Sequence, residues 1–199
     1  MNGLKTVRLV LWGLVAAALA FGGVVALQQR GAGGVSLLPE VKLGAPFTLT
    51  DHTGAAITEK AFEGRPVALF FGFTHCPEIC PTTMYEMTDW LEQLGDEGRA
   101  IGVYFVSVDP ERDTPEVLGE YVAQFPRVTG ITGDAAAVAE LAKAWKVYFK
   151  KQPLDGGDYT MDHTASIFLV NPDGSFKGTI AYGEKPETAL EKLRNLARG

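Results

Sequence analysis

Residues 67–84, VALFFGFTHCPEICPTTM, set an unbroken apolar run directly ahead of two cysteines, each followed by proline. A run without polar alternation, short and rich in aromatics, fits a strand covered on both faces. Such a strand needs a layer on either side, so the run restricts the chain to an α/β arrangement. The following segments agree. After Pro81, TTMYEMTDWLEQL spaces Met84, Met87, Trp90, Leu91 and Leu94 at helical intervals, as core packing requires. Ile101 to Val108 is a second apolar strand, ending at Asp109-Pro110. Thr114-Pro115-Glu116 combines an N-cap residue with proline at the first helical position and predicts a helix to about Phe125. A short strand over Val128 to Ile131 precedes Asp134, which caps a helix through Trp145. Upstream, Phe47 to Gly54 predicts a short strand running into a turn.

The alternation breaks at Tyr148 to Asp162, where Pro153 and Gly156-Gly157 predict a loop or hairpin. Ser166 to Val170 is a strand, Asn171-Pro-Asp-Gly174 a turn, Phe176 to Tyr182 an antiparallel return, and Pro186 to Ala197 a final amphipathic helix. This order predicts a thioredoxin-like α/β fold over residues 39–199. A central mixed sheet is flanked by helices, with a loop or hairpin inserted before the last strand pair. With only 2 cysteines against 46% hydrophobic residues, that domain is held by an apolar core and not by disulfides.

Ahead of it, Leu9 to Leu27 (LVLWGLVAAALAFGGVVAL) carries no charge. Nineteen helical residues span roughly 28 Å, the hydrocarbon thickness of a bilayer. Lys5 and Arg8 precede the run, so the positive-inside tendency keeps residues 1–8 in the cytoplasm and sends the remainder across. A buried core helix of this length would show a polar face. A cleaved signal peptide is the closer rival, because Ala18-Leu19-Ala20 resembles a cleavage site, but the apolar run continues from Gly22 to Leu27. The expectation is a single-pass anchor over 9–27 and a flexible linker over 28–38, with the globular domain on the extracytoplasmic, periplasmic side of the inner membrane. All 24 acidic residues lie beyond Gly34, while Lys5, Arg8 and Arg30 are the basic residues before it, of 18 in total; this leaves the domain a formal charge of −9. Such a surface argues against nucleic acid as a partner.

Cys76 and Cys80 admit three uses. A disulfide across so short a loop constrains the unfolded chain little and makes a poor staple. A redox couple is chemically sound, although the usual spacing has one residue fewer. A metal site uses the wider bite. Pro81 belongs in a first helical turn, which puts Cys80 at or near the N-cap and Cys76 on the preceding loop, where the helix terminus favours thiolates. Of three histidines, His52 lies in an early turn, and His75 leaves the backbone in another direction from Cys76 and is better suited to tuning its pKa. His163, in Met161-Asp-His-Thr-Ala-Ser166, lies just before the strand that this fold brings against the cysteine loop. No proline occupies positions 164 to 166, where thioredoxins set theirs against the thiols. Two thiolates and one imidazole suit Cu(I), which tolerates three ligands; structural zinc wants a fourth, which Asp162 or water would have to supply. A peroxidase of the same fold class would need an arginine in the loop, and none is there.

Three stretches, GFTHCPEICPTTM, SVDPERDTPEVL and DHTASIFLVNPDG, resemble the SCO/SenC family of membrane-anchored copper-binding proteins that assist assembly of cytochrome c oxidase. The similarity runs from about Phe47 to Lys192. It implies copper held by Cys76, Cys80 and His163, as Cu(I) with Cu(II) left open. It also implies a metallochaperone that serves the copper-site subunit of the oxidase, with other periplasmic copper chaperones or thiol reductants as further partners. The alternative is an extracytoplasmic thiol–disulfide oxidoreductase that uses Cys76 and Cys80 to keep the oxidase's copper-site cysteines reduced. Glu78 stands where the family more often has aspartate. Asp109 and Arg112 match a family segment without an assigned role, and a capped turn with a surface ion pair is the expectation for them.

Overall fold

The computed structural model describes residues 43–199 and, within the N-terminal stretch, residues 7–8, 11–17 and 19, which are helical. The remainder of the expected 9–27 anchor and the 28–38 linker lie outside the described residues. Among the described residues no helix is long and apolar enough to cross a membrane.

The domain is built on a seven-stranded sheet. Its strands are β1 (Thr48–Asp51), β2 (Ala56–Thr58), β3 (Val67–Gly72), β4 (Gly102–Ser107), β5 (Val128–Thr132), β8 (Ser166–Val170) and β9 (Phe176–Ala181), in the order β2-β1-β5-β4-β3-β8-β9. Strands β3, β4 and β5 run parallel, while β1 and β8 pair antiparallel on either side of them and β2 and β9 close the edges. Every residue of β3 and β4 is buried, as their unalternating apolar runs require. Two strands stand apart: β6 (Phe149–Pro153) and β7 (Tyr159–His163) form an antiparallel ribbon of their own, the insertion expected between Tyr148 and Asp162.

The helices of the domain are α1 (Ile79–Gln93), α2 (Asp96–Ala100), α3 (Pro115–Val122), α4 (Ala135–Ala144) and α5 (Pro186–Arg198), and all but α2 follow the sequence signals. The predicted caps form. Thr114 Oγ1 accepts from Val117 N, and Asp134 Oδ1 accepts from Ala136 N and Ala137 N. Phe70 and Phe105 point to one side of the sheet, where Phe105 meets Tyr121 of α3 at 5.1 Å between ring centres. Phe71, Tyr104 and Phe168 point to the other, around Trp145 and Phe62. Gly130 has a packing reason: a Cβ there would lie 2.6 Å from Leu118 Cγ, so its absence lets α3 close on β5. Two elements carry little sequence signal, the three-residue edge strand β2 and the single-turn α2.

Helix α1 begins at Ile79 with Glu78 at the N-cap, so Cys80 is the second helical residue, near the N-cap as expected, and Pro81 is the third, within the first turn. The first four helical N–H groups have no partner within the helix, so proline loses nothing at the third position either.

Candidate metal centre

Strand β3 ends at Gly72, and the chain turns so that Cys76 N donates to Phe73 O at 3.3 Å. The turn is anchored from beneath. Thr74 N and Thr74 Oγ1 donate to the two carboxylate oxygens of Asp113 at 3.1 and 2.6 Å, and Ser107 Oγ, at the end of β4, donates to the same carboxylate at 2.6 Å. Asp113 is fully buried. Cys76 is half-buried on the loop and Cys80 is buried at the start of α1; both are free thiols, and Cys80 N donates to Cys76 Sγ at 3.3 Å.

His163 arrives from the far end of the chain, at the last position of β7. It faces Phe149 in the ribbon register, and Thr164 N donates to Tyr148 O just beyond. Its Nε2 lies 3.4 Å from Cys80 Sγ, and the ligand atoms of Cys76, Cys80 and His163 all fall within 4.8 Å of one another. Among the described residues these three are the group of cysteine, histidine or acidic side chains with metal-site geometry. The carbonyl of Thr164, 3.1 Å from Nδ1, can only accept. Nδ1 therefore carries a proton, and Nε2 is the ring nitrogen that faces the sulfurs. Phe70 and Phe73 meet the imidazole edge-on at 5.9 and 5.7 Å and fix its plane.

The two thiols are electrostatically unequal. Cys76 is drawn down to about 4, first by the hydrogen bond from the Cys80 thiol, with further help from His163 and the N–H groups of Cys80 and Glu78; together these outweigh its burial. Cys80 is pushed up by the same hydrogen bond, by burial and by the neighbouring thiolate. Cys76 is thus the reactive sulfur and Cys80 its buried companion. Iodoacetamide should accordingly modify Cys76 of the reduced, metal-free protein at a nearly constant rate from about pH 8 to about pH 5, falling only below that, with Cys80 largely spared. A rate that fell tenfold per pH unit from pH 8 downward would contradict this environment.

The other sequence-level possibilities fall outside the cluster. The His75 side chain is 51% exposed, with Nδ1 3.0 Å from Thr74 Oγ1. His52 Nδ1 accepts from Gly130 N at 3.2 Å. Asp162, considered as a fourth ligand, is exposed and accepts from Gln152 Nε2 at 2.6 Å. Asp109 and Arg112 correct their expectation. Asp109 is 2% exposed and Arg112 is largely covered, so their pair is not a surface ion pair. Arg112 donates instead to the ribbon backbone at Tyr159 O, 2.9 Å away. Sequence reasoning missed Asp113, Phe73 and Tyr159. Only a polar pair, Thr74-His75, directly after a buried strand hinted at a buried partner, and that partner lies 39 residues away.

A groove of about 500 Å³ opens beside Cys76 and His163, with Phe73, Glu78, Tyr148 and Asp162 among its lining residues. It leaves the half-buried Cys76 reachable from solvent.

The family model described as SCO1/SenC matches residues 36–198. Protein SCO2, mitochondrial, of Saccharomyces cerevisiae is 40% identical over 159 residues, covering 77% of this chain and 52% of the relative; the chain thus spans about half that protein's length. The structure of Bradyrhizobium japonicum ScoI with copper bound is 42% identical, with a TM-score of 0.71, over 77% of this chain and 99% of that one. BsSco, described as a member of the Sco family of cytochrome c oxidase assembly proteins with a disulfide switch, is 27% identical, with a TM-score of 0.63, over 78% and 94% of the two chains. The family match covers the domain that carries Cys76, Cys80 and His163. The chain belongs to the SCO1/SenC family.

Proposed function

We propose that this chain is a membrane-anchored copper metallochaperone that takes up Cu(I) on Cys76, Cys80 and His163 and passes it to the copper-site subunit of cytochrome c oxidase. The observation that carries the reading is the convergence of two sulfurs and one nitrogen within 4.8 Å. Two metal–sulfur bonds of about 2.3 Å each bridge up to about 4.6 Å, so the bite suits one shared ion. The donor set is soft and three-membered, which Cu(I) accepts and structural zinc does not. Copper bound to ScoI of Bradyrhizobium japonicum supports the choice of metal. The uncharged run over residues 9–27 supports a single-pass anchor in the inner membrane, with the domain on the periplasmic side.

Binding requires both thiols reduced and free to lose their protons, so metal occupancy and thiol redox state are linked. The reduced protein should bind one equivalent of Cu(I), and oxidation of Cys76 and Cys80 to a disulfide should release it. Copper retained after oxidation would exclude the two sulfurs as ligands.

A second reading rests on the inequality of the thiols. A half-buried Cys76 drawn down to about 4 beside a buried, protonated Cys80 is the arrangement of an attacking and a resolving thiol. The same pair would then reduce a disulfide in the oxidase subunit: the Cys76 thiolate attacks one of its sulfurs and the other leaves as a thiolate; Cys80, losing its proton to solvent, then attacks Cys76 Sγ of the mixed disulfide, which forms the Cys76–Cys80 disulfide and frees the second substrate thiolate.

A further inference from the structure

The ribbon that carries His163 stands outside the main sheet: among the described residues β6 and β7 pair only with each other. Met161, Phe149 and Tyr159 pack it against the core, and a group of side chains from the loop after β4 adds polar contacts. Arg112 Nε donates to Asp109 Oδ2 at 2.5 Å, and its Nη1 donates to Tyr159 O at 2.9 Å and to Asp158 Oδ1 at 3.3 Å. The guanidinium lies over the Tyr159 ring, 3.7 Å from its centre, and the Tyr159 hydroxyl donates to Asp109 Oδ1 at 2.8 Å. Lys151 of β6 extends the same grip, donating to Glu111 Oε2 at 2.7 Å.

Resting on the ligand assignment above, we propose that Asp109, Arg112 and Tyr159 form a latch that positions His163 against the thiols and so sets the share of copper affinity contributed by the imidazole. Tyr159 begins β7 and His163 ends it, so the latch and the ligand are opposite ends of one strand, about 13 Å apart at strand rise. A second route runs through packing. The Arg112 guanidinium also lies 6.0 Å from the centre of Phe73, the ring that meets His163 edge-on. Asp109 and Arg112 reach neither sulfur nor imidazole by hydrogen bond, so they act only through the ribbon and Phe73.

The test is a double-mutant cycle read by competition for Cu(I) against a chromophoric chelator. Tyr159→Phe removes one oxygen and Arg112→Met removes the guanidinium but keeps the stem; each is made in the native and in the His163→Ala background. Arg112→Met should weaken Cu(I) binding by about tenfold where His163 is present, Tyr159→Phe by less, and neither should matter once His163 is gone. Equal losses in both backgrounds would mark a general structural role and overturn the latch, as would no loss in either. Tyr159→Phe alone decides the matter if Arg112→Met does not fold. Unchanged affinity in His163→Ala itself would overturn the ligand assignment and the latch together. A weakened His163→Ala beside latch variants that match the native protein would overturn the latch only.

Discussion

His163→Ala should lower Cu(I) affinity by more than about 100-fold while leaving the domain folded. Loss of a group that only supports a ligand typically costs 10- to 100-fold, so loss of a ligand itself should exceed the upper end of that range. The fold should survive because His163 closes a ribbon that, among the described residues, joins no other strand, while Phe70 stays packed among core residues without it. The same variant separates the two functional readings. Disulfide exchange needs only the sulfurs and the low pKa of Cys76, and His163 contributes to that pKa less than Cys80 does. Reductase activity should therefore persist in His163→Ala when copper binding does not. Tight copper binding in the variant would remove the imidazole from the ligand set.

Asp113→Ala should destabilise the domain by about 3 kcal/mol and loosen the turn that presents Cys76. The carboxylate is buried and accepts from Thr74 N, Thr74 Oγ1 and Ser107 Oγ; its removal strands three donors, each costing roughly 1–3 kcal/mol if left unpaired, with partial relief as the hydroxyls rotate. Asp113→Asn should be far milder. Its amide can donate to Thr74 Oγ1, which already has His75 Nδ1 3.0 Å away as an alternative acceptor. The pair also gives a pH signature. Burial raises the pKa of Asp113 in the fold, against the lowering effect of Ser107 and Thr74. A carboxyl whose pKa is raised by folding contributes stability that is complete below its unfolded pKa and is lost as pH rises through the folded one. Denaturant titrations across the acidic range should thus show native stability falling relative to Asp113→Asn as pH climbs above the usual aspartate range. A difference that stayed flat, or moved the other way, would mean that the hydroxyl donors outweigh burial.

The sequence announced the elements whose signals are local. The apolar runs gave β3, β4 and β8, Thr114-Pro115 and Asp134 gave two helix starts, and Asn171-Pro-Asp-Gly174 gave the turn before β9. Their boundaries moved by a few residues. α3 stops at Val122, short of Phe125, because Ala123 caps it and Phe125 N turns back to Val122 O. The two cysteines and His163 are legible for a different reason: β8 pairs antiparallel with β3, which brings the residues just ahead of β8 to the loop that follows β3. What stayed hidden depends on partners distant in sequence. Thr74 and Asp113 are 39 positions apart, and Tyr159 and Asp109 are 50 apart. Nothing in the period or composition of either segment marks such a pair. A charged segment such as Asp109 to Asp113 resembles a solvated turn until the ribbon folds over it, which is why its ion pair was expected at the surface and is found under cover.

On the proposed reading, one ion binds two sulfurs from the loop and start of α1 and one nitrogen from the end of β7. X-ray absorption on the reduced protein loaded with one equivalent of Cu(I) should show two sulfur neighbours at about 2.3 Å and one nitrogen near 2.0 Å, with the nitrogen shell vanishing in His163→Ala. A shell of sulfur alone, or a nitrogen that survives that substitution, would rule out the shared three-ligand site.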